Sequence, residues 1–307
     1  MKRDFTGLIA ASFTPMHEDG SVNLDRIGAI VDHLVRDGVA GVYVAGSTGE
    51  GISLTSQERR QVAEAIIRSA KGRLSVIVHV GHNSLREARE LAAHAQQIGA
   101  DAISAVAPSY FKPTSVEVLV DCMAEIASAA PKLPFYGYHI PSLTGIRLDP
   151  AEFLRQAAKC VPNLGGLKFT APEIEEYQAC LDLAKGRFTI FYGRDEMLLS
   201  ALSVGARAAI GSTYNFATPL YRRLIEAFDR GDIQEARRCQ ALAAKMIRTI
   251  ERYPIMPGLK AVMKIIGVDC GPTRLPLAAL NSKQIKMLKR ELEEIGFFQW
   301  ARPCPDK

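Results

Sequence analysis

A strand followed by a helix recurs eight times in the first three quarters of this chain, and no other feature limits its possible folds as much. Each predicted strand is apolar almost throughout, which is typical of parallel strands that are covered on both faces. The spacing of about 30 residues between successive strands is that of βαβ units. The predicted strands are residues 8–13, 41–45, 74–80, 102–107, 134–140, 164–170, 188–192 and 206–210.

The segments between these strands have helical periodicity and recognisable ends. Residues 55–58 and 84–87 each have the spacing of a capping box. Asp149 places a capping side chain before Pro150, a proline suited to the first helical position. The predicted helices are residues 24–36, 55–70, 84–98, 116–130, 150–160, 173–184, 196–204 and 219–229. Eight such units predict an α/β fold, a closed (β/α)8 barrel of the TIM type, rather than an open sheet.

A helical extension follows the eighth unit. Its predicted helices are residues 233–252, 259–266 and 282–294, and Gly231 and the segment 254–258 separate them. No stretch has the composition of a flexible linker. We therefore expect residues 1–230 to form the catalytic barrel, and residues 231–307 to pack on it as a C-terminal helical extension.

Composition excludes several classes of partner. The 307 residues are 48% hydrophobic and 23% charged, as in soluble globular proteins, and the net charge is only +5. Lysines and arginines are scattered among acidic residues, so no nucleic-acid partner is expected. No apolar run approaches the roughly 20 residues that cross a membrane. Residues 1–4 lead into a strand and lack the apolar core of a signal peptide. We expect no membrane association.

The cysteines indicate a reducing compartment. The chain has six cysteines, at positions 122, 160, 180, 239, 270 and 304. None form a C-x-x-C pair, and no grouping of cysteine and histidine has zinc spacing. The sequence therefore predicts free thiols, no metal site and a cytoplasmic location.

A lysine stands near the end of the sixth predicted strand, in Gly166-Leu167-Lys168-Phe169-Thr170. Burying a lysine's charge costs several kcal/mol unless it is paired or neutral. Burial also lowers the pKa of a lysine, and this supplies the unprotonated amine that a Schiff base needs. From these residues alone, a strand-end lysine whose ammonium group reaches water is the commoner arrangement.

Other residues capable of chemistry also follow predicted strands, at the end of a barrel where active sites lie. The glycine-rich segment 46–51 can hold an anion on backbone N–H groups, or it is a tight turn without a ligand. A nucleotide phosphate loop is disfavoured, because no lysine follows at Walker spacing. The other candidates are Tyr110 after strand four, Tyr138 in strand five, residues 193–196 after strand seven and residues 211–215 after strand eight.

Taken one at a time, the aromatic and histidine candidates have structural alternatives. The Tyr138 hydroxyl can carry a proton, or it can be a bonded core hydroxyl. His79 and His139 each lie within a predicted strand. Both are interpreted as structural histidines rather than as acids or bases.

Together, these motifs resemble the N-acetylneuraminate lyase and dihydrodipicolinate synthase superfamily. The resemblance is carried by segment 46–51, by Tyr138-His139-Ile140-Pro141, by Gly166-Leu167-Lys168 and by the tail segment 271–277. It covers nearly the whole chain. It implies a class I aldolase in which a lysine forms a Schiff base with pyruvate or another 2-keto acid, without a metal or organic cofactor. It also implies a homotetramer.

The resemblance implies a role for each candidate. Lys168 is the nucleophile and Tyr138 the proton carrier, with Thr48 and Tyr110 completing a relay in which Tyr110 comes from a neighbouring subunit. The alignment leaves the relay tyrosine open by one position along residues 109–111. The implied substrate-binding residues are Ser47 and Thr48 for the carboxylate, and Thr170, Gly193, Asp195, Glu196 and Ser212 for the sugar tail. Without the resemblance, helix capping by Asp195 and a turn hydroxyl at Ser212 remain alternatives.

Leu143 bears on the substrate. Family members that make dihydrodipicolinate carry an arginine two residues after the proline of the strand-five motif, whereas this chain has Leu143 after Pro141. A second carboxylate therefore lacks its bidentate partner. The expected reaction is reversible cleavage of N-acetylneuraminate to pyruvate and N-acetylmannosamine. A related aldolase acting on a 2-keto-3-deoxy sugar acid, and a non-catalytic sensor of sialic acid or pyruvate, remain alternatives.

Overall fold

The computed structural model describes residues 5–301, and its centre is a closed barrel of eight parallel strands paired in sequence order. The expected (β/α)8 architecture is therefore confirmed. In the register of the barrel, Lys168 pairs with Tyr138 on one side and with Phe191 on the other. The strands are β1 Gly7–Ala11, β2 Gly41–Val44, β3 Ser75–His79, β4 Ala102–Val106, β5 Phe135–His139, β6 Leu164–Phe169, β7 Thr189–Tyr192 and β8 Ala208–Gly211.

Helices cover the outside of the barrel and continue beyond it. Within residues 5–301 they are α1 Ile27–Asp37, α2 Ser56–Ala70, α3 Leu85–Gln97, α4 Val116–Ala127, α5 Pro141–Thr144, α6 Pro150–Cys160, α7 Ile174–Ala184, α8 Leu198–Ser203, α9 Tyr214–Asp229, α10 Ile233–Ile250, α11 Ile255–Ile265, α12 Ser282–Glu294 and α13 Phe297–Trp300. Periodicity does not predict α5 and α13, because four residues are too few to show it. None of the helices in this part of the chain is both long and apolar enough to cross a membrane.

The three predicted N-terminal caps are confirmed, one of them only in part. Thr55 and Glu58 form the full capping box at the start of α2. Asp149 caps α6 by accepting hydrogen bonds from two backbone N–H groups. Ser84 caps α3, but the second half of its box is wrong, because the Glu87 carboxylate accepts a hydrogen bond from Ser56 on the neighbouring helix instead.

Two helices begin earlier than their prolines indicate. The start predicted at residue 219 is wrong, since α9 begins at Tyr214 and bends at Ala217, whose φ is −133°. Pro219 thus lies near the start of the second segment, where a missing N–H costs little. The start predicted at residue 259 is wrong for a similar reason, since α11 begins at Ile255 and has Pro257 in its first turn.

Two apolar layers hold the barrel together. One lies between the strands and the surrounding helices, and the other fills the barrel. The inner layer is rich in aromatic rings, and Tyr136 meets Phe5 and Phe191 edge to face at 5.9 and 4.9 Å near the N-terminal end. The barrel is therefore a packed core with no continuous pore. Its buried members are Phe5, Ile9, Ala11, Tyr43, Ile77, Ala102, Tyr136, Tyr138, Ile140, Phe191, Ala208 and Ile210.

The C-terminal helices pack on the barrel. In the extension, α10 lies along α9 and against the turn after β7, while α12 contacts both α10 and α11. The division into residues 1–230 and 231–307 stays a prediction, and its first four and last six residues lie outside the described part of the chain. Within residues 5–301 five cysteines are free thiols, whereas Cys304 lies outside the described residues.

A bulge in β6 precedes Lys168. The register between β5 and β6 shifts at Tyr136, where Gly166 adopts φ +145°. A Cβ on Gly166 would lie 1.9 Å from the Thr189 carbonyl oxygen. Bulges re-aim the side chains that follow them, and a Gly166 side chain is excluded by both conformation and space. This glycine therefore fixes where the Lys168 side chain points.

Replacing Gly166 with Ala should cost about 3 kcal/mol of unfolding free energy or more, because strain and a backbone clash add together. Gly231 is the matched control, since its φ is +77° and a Cβ added to it would have no neighbouring atom within 4 Å. Gly231→Ala should cost only about 1–2 kcal/mol. Denaturant unfolding of both variants measures the difference, and equal losses would contradict the role given to the bulge.

Candidate active site

A pocket of about 200 Å³ opens at the C-terminal ends of the strands. Nine of the ten predicted site residues line it: Ser47, Thr48, Tyr138, Lys168, Thr170, Gly193, Asp195, Glu196 and Ser212. Tyr110 is the exception. Helices α10 and α11 complete the wall with Ile247, Ile250, Glu251, Ile255, Met256 and Leu259. This wall cannot be predicted from the sequence, because helical periodicity does not reveal that a packed extension reaches the mouth of the barrel.

Lys168 is buried beneath the pocket, with 5% of its surface exposed. The alternative of an ammonium group reaching water at a strand end is therefore wrong. Its Nζ donates a hydrogen bond to Thr170 Oγ1 at 3.1 Å. The same atom lies 3.7 Å from the centre of the Tyr138 ring and 5.4 Å from that of Tyr43. Aromatic faces surround an amine that has no ion-pair partner among residues 5–301.

Tyr138 faces the barrel interior from the strand beside Lys168. Its ring meets Tyr43 and His79 edge to face, at 5.9 and 6.0 Å. Within the described part of the chain its hydroxyl takes part in no hydrogen bond. The interpretation of Tyr138 as a core tyrosine with a bonded hydroxyl is therefore wrong. The hydroxyl is left for a ligand in the pocket.

The glycine-rich loop after β2 adopts an unusual conformation. Ala45 and Glu50 both have φ +54°, in the left-handed region. A Cβ on Gly51 would lie 1.7 Å from the Ala45 carbonyl oxygen, so only glycine fits there. Hydrogen bonds among residues 5–301 make no use of the Ser47 and Thr48 N–H groups. Two unused backbone donors at a pocket edge suit an anion.

A hydrogen bond joins this loop to the loop after β8. Thr48 Oγ1 and Ser212 Oγ lie 2.7 Å apart. The interpretation of Ser212 as a hydroxyl used only within its own turn is therefore wrong. This contact places an alcohol pair between the anion loop and the β7–β8 side of the pocket.

Asp195 is held by the loop after β8. Its Oδ2 accepts hydrogen bonds from Thr213 N at 2.8 Å and from Thr213 Oγ1 at 2.6 Å, and Tyr221 OH lies 2.8 Å from Thr213 Oγ1. Burial raises the pKa of Asp195 to about 6. Oδ1 is buried and has no hydrogen-bond partner among the residues that the structure describes. Asp195 does not cap a helix, so that alternative is wrong.

Two glycines open space beside the polar wall. A Cβ on Gly193 would lie 2.0 Å from Thr170 Oγ1, and one on Gly211 would lie 1.8 Å from Asp195 Oδ1. Glu196 is partly exposed and forms an ion pair with Arg194 at 2.5 Å. The β7–β8 side of the pocket therefore has hydroxyl and carboxylate groups, which suit a polyhydroxylated ligand.

Tyr110 lies outside the pocket of its own chain. Its side chain is 79% exposed and meets the exposed ring of Phe111 edge to face at 5.0 Å. Asn83 Oδ1 accepts hydrogen bonds from the N–H groups of Ser109 and Tyr110, so the loop has a defined shape. Leu143, 67% exposed on α5, also lies outside the lining. A role of Tyr110 in a neighbouring subunit's site stays a prediction.

The two strand histidines differ from one another. His79 accepts a hydrogen bond from Val106 N through Nε2, and its Nδ1 lies 3.1 Å from the Ala45 carbonyl oxygen. Burial and the neighbouring Arg59 hold the pKa of His79 well below its usual value, as befits a neutral structural ring. His139 stacks on Phe169, its Nε2 has no hydrogen-bond partner, and burial lowers its pKa to about 4.

A larger cavity of about 630 Å³ lies at the opposite, N-terminal end of the barrel. It contains none of the predicted site residues, and in this fold that end carries stability rather than catalysis. In the part of the chain that the structure describes, no group of three or more His, Cys, Asp or Glu side chains is arranged to hold a metal ion.

The raised pKa of Asp195 predicts a measurable dependence of stability on pH. Between the ordinary value of 3.8 and about 6, the folded protein holds a proton that the unfolded chain has released. Charging the buried carboxyl therefore lowers stability as pH rises through this window. Relative to Asp195→Asn, which cannot titrate, the wild type should lose about 2 kcal/mol of unfolding free energy between pH 4 and pH 7. Denaturant titrations of both proteins test this, and a difference independent of pH would contradict it.

Comparison with known proteins places this site in a family. The model of the dihydrodipicolinate synthetase family matches residues 4–295. An N-acetylneuraminate lyase from Xenopus tropicalis is 44% identical over 296 residues, which are 93% of this chain and 97% of the relative. One from Pongo abelii is 40% identical over 305 residues, which are 98% of this chain and 95% of the relative.

Solved structures give the same result. The structure of Proteus mirabilis N-acetylneuraminate lyase has a TM-score of 0.93 at 40% identity, and the match covers 95% of this chain and 99% of that one. That of Aliivibrio salmonicida N-acetylneuraminate lyase (sialic acid aldolase) has a TM-score of 0.94 at 40% identity, covering 98% and 100%. The chain therefore belongs to the dihydrodipicolinate synthetase family.

Proposed function

We propose that this protein is a class I aldolase that reversibly cleaves N-acetylneuraminate to pyruvate and N-acetylmannosamine. The observation that carries the proposal is a buried Lys168 amine 3.7 Å from the centre of the Tyr138 ring. Within the described residues this amine has no ion-pair partner, and the pocket around it has unused N–H donors. The relatives that bear the name N-acetylneuraminate lyase match nearly the full length of the chain.

Lys168 forms the covalent intermediate. Its neutral Nζ adds to the C2 carbonyl of the open-chain sugar acid, and loss of water gives a protonated Schiff base. The proton of the C4 hydroxyl then leaves by way of Tyr138, the C3–C4 bond breaks, and N-acetylmannosamine departs as an aldehyde. The bond electrons move into the iminium to form an enamine. Protonation at C3 and hydrolysis release pyruvate and restore Lys168.

The loop after β2 holds the carboxylate of the keto acid. The Ser47 and Thr48 N–H groups donate to its oxygens, so the negative charge is bound without a cationic side chain. The Thr48 hydroxyl, which is linked to Ser212, continues the polar path away from Tyr138. In the proposed relay, Tyr110 of a neighbouring subunit completes this path. The exposed Tyr110 and Phe111 side chains support a homotetramer in which the loop meets another copy.

The β7–β8 side of the pocket recognises the rest of the substrate. Thr170, Glu196 and Ser212 offer hydrogen-bonding groups to a polyol chain, while Gly193 leaves space beside Thr170. Asp195 adds a carboxylate whose orientation Thr213 fixes. Sites built to hydrogen-bond substrate hydroxyls reject analogues that lack them, since the buried polar groups are then left unpaired.

A shorter substrate is the second candidate. The pocket of about 200 Å³ is smaller than the roughly 300–1,000 Å³ typical of small-molecule sites. This favours a 2-keto-3-deoxy sugar acid, which would use the same Schiff base and fewer tail contacts. A non-catalytic sensor is less well supported, because a pure binder has no use for a buried free amine beside a free tyrosine hydroxyl. We also propose a cytoplasmic location, with which the free thiols agree.

The activity is tested by pyruvate release from N-acetylneuraminate, measured beside 2-keto-3-deoxygluconate. We expect the wild type to favour N-acetylneuraminate, and borohydride with pyruvate to leave an adduct on Lys168 that mass spectrometry locates. Lys168→Ala should abolish both signals, whereas Lys159→Ala, at an exposed lysine on α6, should change neither. An adduct on another lysine, or none, would rule out the mechanism, and preference for the shorter acid would select the second candidate.

Glu196→Gln separates recognition of the tail from chemistry on pyruvate. Losing a hydrogen bond to a charged group costs about 1.5–3 kcal/mol, so kcat/KM for N-acetylneuraminate should fall roughly 10- to 150-fold. Borohydride trapping of pyruvate should remain at the wild-type rate, because that half of the substrate does not reach Glu196. Glu175→Gln on α7, outside the pocket, is the matched control. Equal loss of trapping and turnover would show that Glu196 is only structural.

A further inference from the structure

A buried ion pair lies beneath the anion loop, and no step of the proposed mechanism uses it. Lys260 Nζ lies 2.7 Å from Glu50 Oε1, and the two side chains are 2% and 0% exposed. The contact is a charge pair rather than an aligned hydrogen bond. Burying two charges is costly, and well-packed apolar residues often stabilise a fold equally well. The pair therefore calls for an explanation beyond stability.

The pair holds the turn that closes the anion loop. Glu50 follows Ser47, Thr48 and Gly49, and its φ of +54° is unfavourable for a residue with a side chain. Its N–H donates to the Ser47 carbonyl at 3.1 Å, which closes the turn around the two unused N–H groups. On the other side of the loop, Thr14 Oγ1 donates to the Gly49 carbonyl at 2.7 Å. Glu50 therefore holds the loop in its folded conformation.

The Glu50 carboxylate is held by atoms of the C-terminal extension. Lys260 lies on α11, next to the pocket-lining Leu259, and also donates to the Pro272 carbonyl at 2.7 Å. Glu50 Oε2 accepts a hydrogen bond from Arg274 N at 2.9 Å. Helix α11 therefore both lines the pocket, with Leu259 among other residues, and holds the anion loop through Lys260.

We propose that Glu50 and Lys260 are positioning residues, whose buried contact aims the Ser47 and Thr48 N–H groups at the carboxylate of the 2-keto acid. The C-terminal helices thereby set the affinity of the barrel for its keto acid. The inference rests on the proposed aldolase function and deepens it, because neither residue touches the substrate or the reacting carbon.

Borohydride trapping at Lys168 tests the inference with two probes, pyruvate and acetone. Acetone has the ketone but no carboxylate, so it forms the imine without using the loop. The variants are Glu50→Leu, Lys260→Met and the double variant. In each, the half-saturating pyruvate concentration should rise about 10- to 100-fold, since small misplacements of binding groups have effects of this size. The half-saturating concentration of acetone should stay within about 3-fold of the wild-type value, because acetone has no carboxylate for the loop to bind.

The double variant separates positioning from stability. Each single variant leaves one buried charge unpaired and should lower the melting temperature, whereas the double variant removes both charges and should recover it. It should not recover pyruvate affinity, because the contact that fixes the turn is still missing. The inference would be overturned if the double variant recovered both the melting temperature and the pyruvate affinity. It would also be overturned if the single variants had the wild-type half-saturating pyruvate concentration.

A control for general destabilisation lies at the opposite end of the barrel. Asn163 Nδ2 donates to the carbonyls of Ala127, Ala130 and Leu133. Asn163→Ala should lower the melting temperature and leave the half-saturating pyruvate concentration unchanged. If Asn163→Ala raises the half-saturating pyruvate concentration as much as Lys260→Met does, the positioning role is refuted. Absence of any adduct in the wild type would instead refute the aldolase function itself.

Discussion

The rest of the structure depends on an amine that is buried without an ion-pair partner within residues 5–301. Lys168 enters the barrel interior among aromatic faces, and Thr170 is its hydrogen-bond partner. An amine attacks a carbonyl only in its neutral form, which a paired carboxylate would disfavour. A nearby carboxylate would solve the burial problem and remove the nucleophile. The acidic side chains of the pocket form no ion pair with Lys168 within residues 5–301. Asp195 accepts two hydrogen bonds from Thr213, and Glu196 pairs with Arg194.

The same restriction applies to the proposed binding of the substrate carboxylate. A cationic side chain beside Lys168 would repel the iminium that forms there, whereas backbone N–H groups carry partial charge only. A glycine-rich loop supplies such donors, but its left-handed residues are strained and need support. In this chain the support comes from Gly51, which has no Cβ to strike Ala45, and from the pair of Glu50 with Lys260. This ion pair lies beneath the loop and outside the pocket lining.

The barrel and most of its site follow from local patterns in the sequence. Apolar strands at a regular spacing predict the closed sheet, and strand ends then place Lys168 and Tyr138 in one pocket. The starts of α9 and α11 do not follow, because a proline in a first turn and a proline before a helix look alike in sequence. The wall made by α10 and α11 is missed as well, since contacts between distant segments leave no periodic signal. The ion pair of Glu50 with Lys260 joins residues more than 200 positions apart, and neither residue stands out alone.

The architecture divides the pocket into two parts that meet different demands. In the proposed mechanism, strands β5 and β6 and the loop after β2 hold the keto-acid half, where Lys168, Tyr138 and the N–H groups leave little freedom. The loops after β7 and β8 face the other half, and their contacts are hydroxyl and carboxylate groups that can be exchanged without touching the amine. Thr48 and Ser212 connect the two parts through one hydrogen bond. Under the proposed function, changes on the β7–β8 side alter which sugar acid is bound, whereas a change on the keto-acid side affects every substrate alike.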